Sequence, residues 1–182
     1  MTSDDRHTIV LCGMKGSGKT HFGRILQQRG LSFIDSDEAM LAASNEALGI
    51  GHLYRTLKAP GFRELEYETL KRIISKAEAE SETRFCISTG GGLADNIPAM
   101  NLIAKFSSRK IYLKQKSDIL FQRACANGIP AYLSQINPER QFLVIAEQRN
   151  KVYSSFCDYV IQLYDYRNDE DIVSKLTSIL DS

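Results

Sequence analysis

The sequence carries almost no net charge, since 23 lysines and arginines stand against 22 aspartates and glutamates in 182 residues. It has no apolar run long enough to cross a bilayer, and no apolar stretch follows Met1 as a secretory signal would require. The charge balance argues against a general attraction to nucleic acid or to anionic membranes. We therefore expect neither a nucleic-acid partner nor a membrane partner, and any basic patch has to be local.

Cysteine is also scarce and dispersed. Cys12, Cys86, Cys125 and Cys157 form no C-x-x-C pair, so their spacing fits neither a metal site nor a disulfide framework. Reduced thiols of this kind are typical of a cytoplasmic protein. No repeat, low-complexity segment or linker interrupts the chain, and its length suits one core. We predict a single cytoplasmic domain over residues 1–182.

Strand-like and helix-like segments alternate along the chain. The patterns predict strands at 8–12, 31–35, 85–88, 109–113 and 158–163, and helices at 20–29, 37–43, 62–79, 95–105, 117–126, 139–155 and 169–180. Such alternation is typical of an α/β protein with a parallel sheet wrapped on both faces. The prediction is a three-layer αβα fold with five parallel strands.

The segment GMKGSGKT, residues 13–20, fits the phosphate-binding pattern G-x-x-x-x-G-K-[ST] and lies between the first predicted strand and the first predicted helix. Backbone N–H groups of such a loop form a nest for phosphate oxygens. Lys19 adds a cation near the β- and γ-phosphates, and the Thr20 hydroxyl can bind Mg²⁺. We therefore expect a nucleoside triphosphate with Mg²⁺.

Two further features of the sequence indicate which reaction the bound nucleotide serves. The base-specificity pattern N-K-x-D of GTPases is absent, because Asn150-Lys151 is followed by Val152-Tyr153. One candidate strand ends in two carboxylates, at Asp35 and Asp37. One of them can hold Mg²⁺ through water, and the other can orient or deprotonate an acceptor hydroxyl. The alternative is that Asp37 merely caps the next helix.

Two arginines are candidates for binding an anionic acceptor. Arg149 lies on the apolar stripe of its predicted helix, and a buried arginine needs an anionic partner. Arg63 lies at the edge of the apolar face of its helix, one turn before Glu66. Arg63 and Glu66 could form an exposed pair of little energetic weight, or Glu66 could hold the guanidinium for a substrate carboxylate.

Taken together, these motifs resemble the shikimate kinase family. The P-loop is followed by G-R-x-L at 23–26, D-x-D at 35–37, F-R-x-x-E at 62–66, T-G-G-G at 89–92, and an arginine ahead of a tyrosine at 149 and 153. The resemblance runs from about residue 8 to 168. It implies a nucleoside-monophosphate-kinase-like fold and ATP-dependent phosphorylation of the 3-hydroxyl of shikimate, in aromatic amino acid biosynthesis.

The resemblance also implies roles for individual residues and segments. It makes Lys19 and Asp37 catalytic, gives Thr20 and Asp35 to the metal, and assigns the acceptor to Asp37, Arg63, Gly91, Gly92 and Arg149. It assigns ATP to Gly16, Ser17, Gly18, Lys19, Thr20, His21, Arg123 and Arg167. Helices at about 37–79 would hold the substrate, and a mobile lid would span about 124–141. The protein is expected to be a monomer.

Three glycines, Gly90 to Gly92, follow the predicted strand at 85–88. They would leave bare backbone against which a ring-shaped polyol can lie, with the N–H groups of Gly91 and Gly92 meeting its hydroxyls. A plain tight turn leading into a helix cap is the alternative.

The chain departs from the family pattern in the lid. Shikimate kinases usually carry R-P-L-L there, whereas GIPAYL at 128–133 has Ile129 where the arginine is expected. Lys15, Arg123 and Arg140 are candidates to replace that cation. Two other functions therefore stay open: a kinase of another small carboxylated polyol, and a nucleotide-binding protein with weakened catalysis.

Overall fold

The computed structural model of the chain describes residues 8–45, 47–80, 83–106, 108–126 and 128–181. Residues 1–7, 81–82, 107 and 182 of the predicted domain, Glu46 of the predicted substrate-binding helices and Asn127 of the predicted lid lie outside the described residues. The strands are Thr8–Cys12 (β1), Ser32–Asp35 (β2), Phe85–Ser88 (β3), Arg109–Lys114 (β4) and Tyr159–Gln162 (β5). The helices are Lys19–Gln28 (α1), Ser36–Ser44 (α2), Ile50–Ala79 (α3), Ile97–Lys105 (α4), Ser117–Cys125 (α5), Pro138–Phe156 (α6) and Asp169–Leu180 (α7).

The five strands form one parallel sheet in the order β2-β3-β1-β4-β5. The predicted five-stranded parallel sheet is thus confirmed, with the P-loop strand β1 at its centre. Strand β2, which ends at Asp35, is separated from β1 by β3. Because Leu11 and Asp35 are both level with Ser88, the carboxyl ends of β1, β2 and β3 meet at one edge of the sheet.

Helices cover both faces of the sheet, which gives the predicted three layers. Successive side chains of a strand point to opposite faces, so β1 contributes Ile9 and Leu11 to one core cluster and Val10 and Cys12 to the other. The first cluster packs against α1 and α7, and the second against α3, α4 and α6. A strand buried on both sides reads as the continuous apolar run seen at 8–12.

Helix α3 differs from the prediction, because it begins at Ile50 rather than near residue 62. Its two helical segments meet at Lys58, which has φ 56° and ψ 176°. Pro60 falls in the first turn of the second segment, where a missing N–H is tolerated. The first segment lines a cleft with Ile50 and Tyr54, and the ring of Tyr54 contacts that of Phe62 in the second segment. Tertiary contacts therefore support a helical stretch that the sequence pattern does not indicate.

Helix α4 also begins later than predicted. A short 3₁₀ turn occupies Leu93–Asp95, and α4 starts at Ile97. Asn96 caps the helix by accepting a hydrogen bond from the backbone N–H of Ala99 at 3.3 Å. The turn places Asp95 beside the glycine triplet rather than on the surface of a helix, which matters for the site.

Candidate active site

The P-loop joins β1 to α1 at the carboxyl edge of the sheet. Gly18 is the N-cap residue of α1 and has φ 88°, a left-handed conformation that glycine adopts without a steric penalty. Lys19 is therefore the first residue of the helix and not part of an exposed loop. The N-terminus of α1, which is the positive end of the helix dipole, faces the cleft in front of the loop.

Lys19 is buried, with 7% of its surface exposed. A solvent-facing loop position, which a glycine-rich loop suggests, is thus wrong for this lysine. Its Nζ donates hydrogen bonds to the carbonyl oxygens of Gly13 at 2.8 Å and Met14 at 3.0 Å. Burial lowers the pKa of Lys19, and the nearby carboxylates Asp37 and Asp35 partly offset that effect. The ammonium group is held where phosphate oxygens would reach it.

A cleft of about 630 Å³ lies in front of the P-loop. Among the residues that line it are seven of the eight predicted ATP-binding residues: Gly16, Gly18, Lys19, Thr20, His21, Arg123 and Arg167. Arg123 Nη1 donates to the carbonyl oxygen of Gly16 at 3.2 Å, which fixes this guanidinium beside the loop. Ser17 is the exception, because its side chain is fully buried behind the loop and its Oγ has no hydrogen-bond partner.

Thr20, which lines this cleft, forms a pair with Asp35. Thr20 Oγ1 donates to Asp35 Oδ2 at 2.6 Å, so the lone pairs of the hydroxyl stay free to face a cation. Mg²⁺ prefers oxygen ligands and takes one or two from the protein, with water and substrate phosphates supplying the rest. The donor set therefore fits Mg²⁺. No group of three acidic, histidine or cysteine side chains suited to a metal occurs in the described ranges.

Asp35, and not Asp37, caps helix α2. Its Oδ1 accepts hydrogen bonds from the backbone N–H groups of Asp37 at 2.9 Å and Glu38 at 3.3 Å. The capping alternative for Asp37 is thus wrong, because the cap lies two residues earlier in the chain. Burial, reinforced by the charge of Asp35, raises the pKa of Asp37 to about 6, while Lys19 and Lys15 act in the opposite direction.

The glycine triplet is explained by close contacts within the protein. A Cβ on Gly90 would lie 2.8 Å from Glu66 Oε1 and 2.9 Å from Asp37 Oδ1. A Cβ on Gly91 would lie 2.6 Å from the backbone nitrogen of Lys15. Glycine at these two positions therefore lets the segment after β3 approach the P-loop, the buried Glu66 and the half-buried Asp37. At Gly92 the nearest atom, Arg149 Nη2, is an ordinary 3.6 Å away.

A second, smaller cleft of about 120 Å³ opens on the other side of the glycine triplet. It is lined by every predicted acceptor residue, namely Asp37, Arg63, Gly91, Gly92 and Arg149, together with Glu66 and Asp95. Lys15 and Gly91 line both clefts, so the two clefts adjoin at the P-loop. This is the geometry that transfer of a phosphoryl group from one bound molecule to another requires.

Arg149 is buried on α6, with 6% of its surface exposed, as its place on the apolar stripe predicts. The anionic partner is Asp95, whose Oδ2 lies 2.6 Å from Nη2 and whose Oδ1 lies 3.3 Å from Nε. Nη1 also donates to the carbonyl oxygen of Gly91 at 3.1 Å, and the guanidinium lies over the ring of Tyr132. Burial alone would lower the pKa of Arg149, but Asp95 outweighs it and the net shift is upward.

Glu66 does not pair with Arg63, so both interpretations of that pair, an exposed ion pair and a carboxylate that holds the guanidinium, are wrong. Glu66 is only 2% exposed, and its Oε2 accepts a hydrogen bond from Asn96 Nδ2 at 2.8 Å. Its Oε1 is buried without a partner. Among the described residues, no ion-pair or hydrogen-bond partner engages the Arg63 guanidinium, and Arg63 is exposed at the rim of the smaller cleft. Burial raises the pKa of Glu66 to about 7.

A stability prediction follows for Glu66. Its pKa rises from an ordinary value of 4.5 to about 7 in the fold, so the folded state favours the protonated form. The resulting penalty is absent below about pH 4.5, grows between the two pKa values and is complete above about pH 7. Glu66→Gln should therefore raise the free energy of unfolding at pH 8.5 by about 1–3 kcal/mol and change it little at pH 4.5.

Urea unfolding of both proteins at the two pH values measures this difference. The exposed Glu68→Gln, two positions further along the same helix, is the matched control and should show no such pH-dependent gain. Equal effects of Glu66→Gln at both pH values would contradict the burial argument.

Three residues of the predicted lid segment, Pro130, Ala131 and Tyr132, line the smaller cleft. Ile129 is 36% exposed and lines neither cleft. Of the three candidate replacement cations, Lys15 and Arg123 line the larger cleft, whereas Arg140 lines a separate surface depression with Phe121 and Leu143. The geometry thus removes Arg140 from consideration.

Asp95 and Asn96 are the site residues that the sequence reasoning missed. Asn96 precedes Ile97-Pro98, and asparagine ahead of a proline in the first helical turn is a recognisable helix start. It therefore could have been assigned as a cap, although its bond to Glu66 could not. Nothing local points to Asp95, because its partner lies 54 positions away in sequence.

None of the helices in the described ranges is long and apolar enough to span a membrane.

Comparison with known proteins identifies relatives over nearly the whole chain. A family profile described as "SKI: Shikimate kinase" matches residues 15–181. The shikimate kinase of Trichormus variabilis is 27% identical over 175 residues, which are 96% of this chain and 91% of that protein. The shikimate kinase of Cereibacter sphaeroides is 30% identical over 151 residues, which are 82% of this chain and 71% of that protein.

Solved structures show the same fold. Shikimate kinase from Acinetobacter baumannii, solved in complex with shikimate, superposes with a TM-score of 0.80 at 24% identity and covers 95% of this chain and 92% of its own. Shikimate kinase from Aquifex aeolicus has a TM-score of 0.72 at 26% identity, with 96% of each chain covered. The arrangement of five parallel strands and flanking helices described above is thus that of the shikimate kinase structures.

Proposed function

The chain belongs to the shikimate kinase family, and from that premise we propose that it transfers the γ-phosphoryl group of ATP to the 3-hydroxyl of shikimate. One observation carries the proposal: a P-loop cleft and a small cleft with arginines and carboxylates meet at Lys15 and Gly91. The first suits a nucleoside triphosphate, and the second suits a compact acceptor that carries hydroxyls and a carboxylate.

The larger cleft binds ATP. The N–H groups of the P-loop and the N-terminus of α1 surround the phosphates, and Lys19 supplies positive charge to the β- and γ-phosphates. Arg123 lies beside Gly16 at the phosphate end. His21 and Arg167 line the same cleft, where His21 Nε2 lies 2.6 Å from Asp169 Oδ2. These two residues lie on the nucleoside side in this proposal.

Thr20 and Asp35 are the residues that would hold Mg²⁺, Thr20 with its hydroxyl oxygen and Asp35 by way of a water molecule. When bound, the metal neutralises charge that develops on the phosphates. Asp35 has a further role that is visible in its contacts, because it orients the Thr20 hydroxyl and the first turn of α2 together. The position of Asp37 is therefore tied to the metal ligand.

Asp37 orients the acceptor hydroxyl and takes its proton. Its pKa of about 6 leaves the carboxylate ionised at pH 7 and above, yet keeps it a stronger base than an exposed aspartate. Its Oδ1 lies near Gly90, at the edge of the glycine triplet. Arg63 and Arg149 hold the carboxylate of the acceptor, and the N–H groups of Gly91 and Gly92 meet its ring hydroxyls.

Lys15 takes the place of the arginine that the lid lacks at Ile129. It is the cation that lines both clefts, so it lies beside the path of the transferring phosphoryl group. We expect Lys15→Met to lower kcat by about 10²-fold, since one electrostatic donor at a transition state has that weight. The KM for ATP should change little.

A rescue experiment tests this role of Lys15. Ile129→Arg, introduced together with Lys15→Met, should recover part of the lost rate, because Pro130 biases position 129 toward an extended backbone and itself lines the smaller cleft, within reach of a long side chain at position 129. Steady-state kinetics of the single and double variants give the comparison, with Arg140→Met as a control. An unchanged kcat in Lys15→Met would show that Lys15 does not replace the missing lid arginine.

A coupled ADP-release assay tests the function itself. Shikimate should support turnover, while shikimate methyl ester should be a poor acceptor because the ester removes the charge that the two arginines recognise. A panel of sugar acids tests the alternative of another small carboxylated polyol. ATP binding by calorimetry without turnover of any acceptor would instead favour a nucleotide-binding protein with weakened catalysis.

We also propose a domain organisation, an oligomeric state, a cellular location and a set of partners for the protein. We infer a single kinase domain over residues 1–182, in which substrate-binding helices span about 37–79 and a mobile lid spans about 124–141. We propose that the protein is a monomer. All four cysteines are free thiols, which supports the cytoplasm. We propose no nucleic-acid or membrane partner, in line with the near-zero net charge.

A further inference from the structure

The arginine expected to bind the acceptor's carboxylate already binds a carboxylate of the protein. Asp95 contacts Arg149 in two-point fashion, through Nη2 at 2.6 Å and Nε at 3.3 Å. Planar two-point contact is the geometry with which arginine recognises any carboxylate. The same edge of the guanidinium cannot serve Asp95 and the acceptor at once.

The remaining donors of Arg149 leave little for a ligand. A guanidinium has five N–H groups. Two bind Asp95, and those of Nη1 are directed to the Gly91 carbonyl oxygen at 3.1 Å and to Met14 Sδ at 3.8 Å. One N–H of Nη2 is left. Gly92 is its neighbour, since a Cβ built on Gly92 would lie 3.6 Å from Nη2.

Asp95 is placed to exchange rather than to stay buried. Its side chain is 42% exposed, whereas that of Arg149 is 8% exposed, so the carboxylate can leave toward water while the arginine stays in place. Asp95 lines the smaller cleft and also lines an adjoining depression with Arg63 and Asn96. It ends the short 3₁₀ turn that follows the glycines, and this turn holds it at the cleft wall.

We propose that Asp95 is an internal competitor for the carboxylate of the acceptor and so sets the affinity of the site for an anionic substrate. This inference rests on the proposed function. In it, Asp95 holds Arg149 in position within the free cleft, and the acceptor has to displace it to gain two-point contact. Arg63, whose guanidinium has no partner among the described residues, makes the first contact.

The test is a comparison of the unchanged protein with Asp95→Asn. The amide keeps the shape of the side chain and one acceptor oxygen for Arg149, but it removes the competing charge. The KM for shikimate and its calorimetric Kd should both fall by roughly tenfold, which is the weight of one charge-assisted hydrogen bond. The kcat and the KM for ATP should stay close to those of the unchanged protein.

Asp158→Asn is a matched control. Asp158 is 43% exposed and is paired with Lys110 at 2.9 Å, but it lines neither cleft. It should leave the KM for shikimate unchanged. Shikimate methyl ester is a second control, since an acceptor without a charged carboxylate gains nothing from the loss of Asp95.

The outcomes separate this inference from the function beneath it. A lower KM for shikimate in Asp95→Asn, with no such gain for the ester, supports competition. A KM that is unchanged or higher, in a protein that phosphorylates shikimate, overturns the inference alone and makes Asp95 a residue that positions Arg149. Failure of the unchanged protein to bind shikimate overturns the proposed function and this inference with it.

Discussion

Replacing Lys19 by alanine is expected to lower kcat by about 10³-fold, because the residue supplies charge to the phosphates within a cleft where little water screens it. The ammonium is held by two backbone carbonyl oxygens at 2.8 and 3.0 Å, so it needs little reorganisation to reach a phosphate oxygen. The effect should fall on kcat more than on the KM for ATP, since the charge on the transferring group changes during the reaction.

Burial of Lys19 calls for a second variant. Alanine would leave a cavity behind the P-loop, and a loss of activity could then come from loss of packing. Lys19→Met keeps most of the volume and removes the charge, so both variants should be inactive while the methionine variant keeps its melting temperature. The exposed Lys175→Ala on α7 is the matched control. Normal kcat in Lys19→Met would refute the assignment of the P-loop.

Asp37→Asn is expected to lower kcat by about 10²–10⁴-fold, the range for a lost general base. The unchanged protein should also lose kcat/KM as the pH falls below about 6, because burial and Asp35 raise the pKa of Asp37 from 3.8 to about 6. The rate falls at low pH because protonation of the Asp37 carboxylate removes the base. Lys19 and Lys15 face the same group and keep the pKa from rising further.

The pH profile of kcat/KM between pH 4.5 and 8.5 measures this ionisation. Far-ultraviolet circular dichroism at each pH excludes unfolding as the cause of lost activity. The exposed Glu68→Gln on α3, whose charge does not act on the pKa of Asp37, serves as the control and should keep the acid limb. An Asp37→Asn protein with an unchanged rate, or a flat profile down to pH 4.5, would remove Asp37 from its role.

Local patterns carried much of the prediction. The P-loop at 13–20 is a contiguous motif whose chemistry depends on residues that are neighbours in sequence, so its place between β1 and α1 followed directly. The five strands were predictable because each is a short apolar run between turn residues. The stripe position of Arg149 correctly indicated burial, since helical periodicity is a local property.

Pairing between distant segments was beyond such patterns. Glu66 was matched with Arg63 because the two are three residues apart on one helix, yet its partner is Asn96, 30 positions away. Likewise the first segment of α3 meets the second at a kink at Lys58 and contacts it through Tyr54 and Phe62, and helical periodicity does not indicate this segment. Helical periodicity relates only residues that are close in sequence. These contacts depend instead on how the tertiary fold brings distant segments together.

The sequence by itself thus determined the sheet, the nucleotide loop and the inventory of charged groups around it. Only the tertiary structure decided which of those groups meet: Asp35 caps α2 in place of Asp37, Lys19 is buried, and Asp95 occupies Arg149. The physical reason is that an ion pair is set by distance and by exclusion of water, and both depend on packing between segments far apart in the chain.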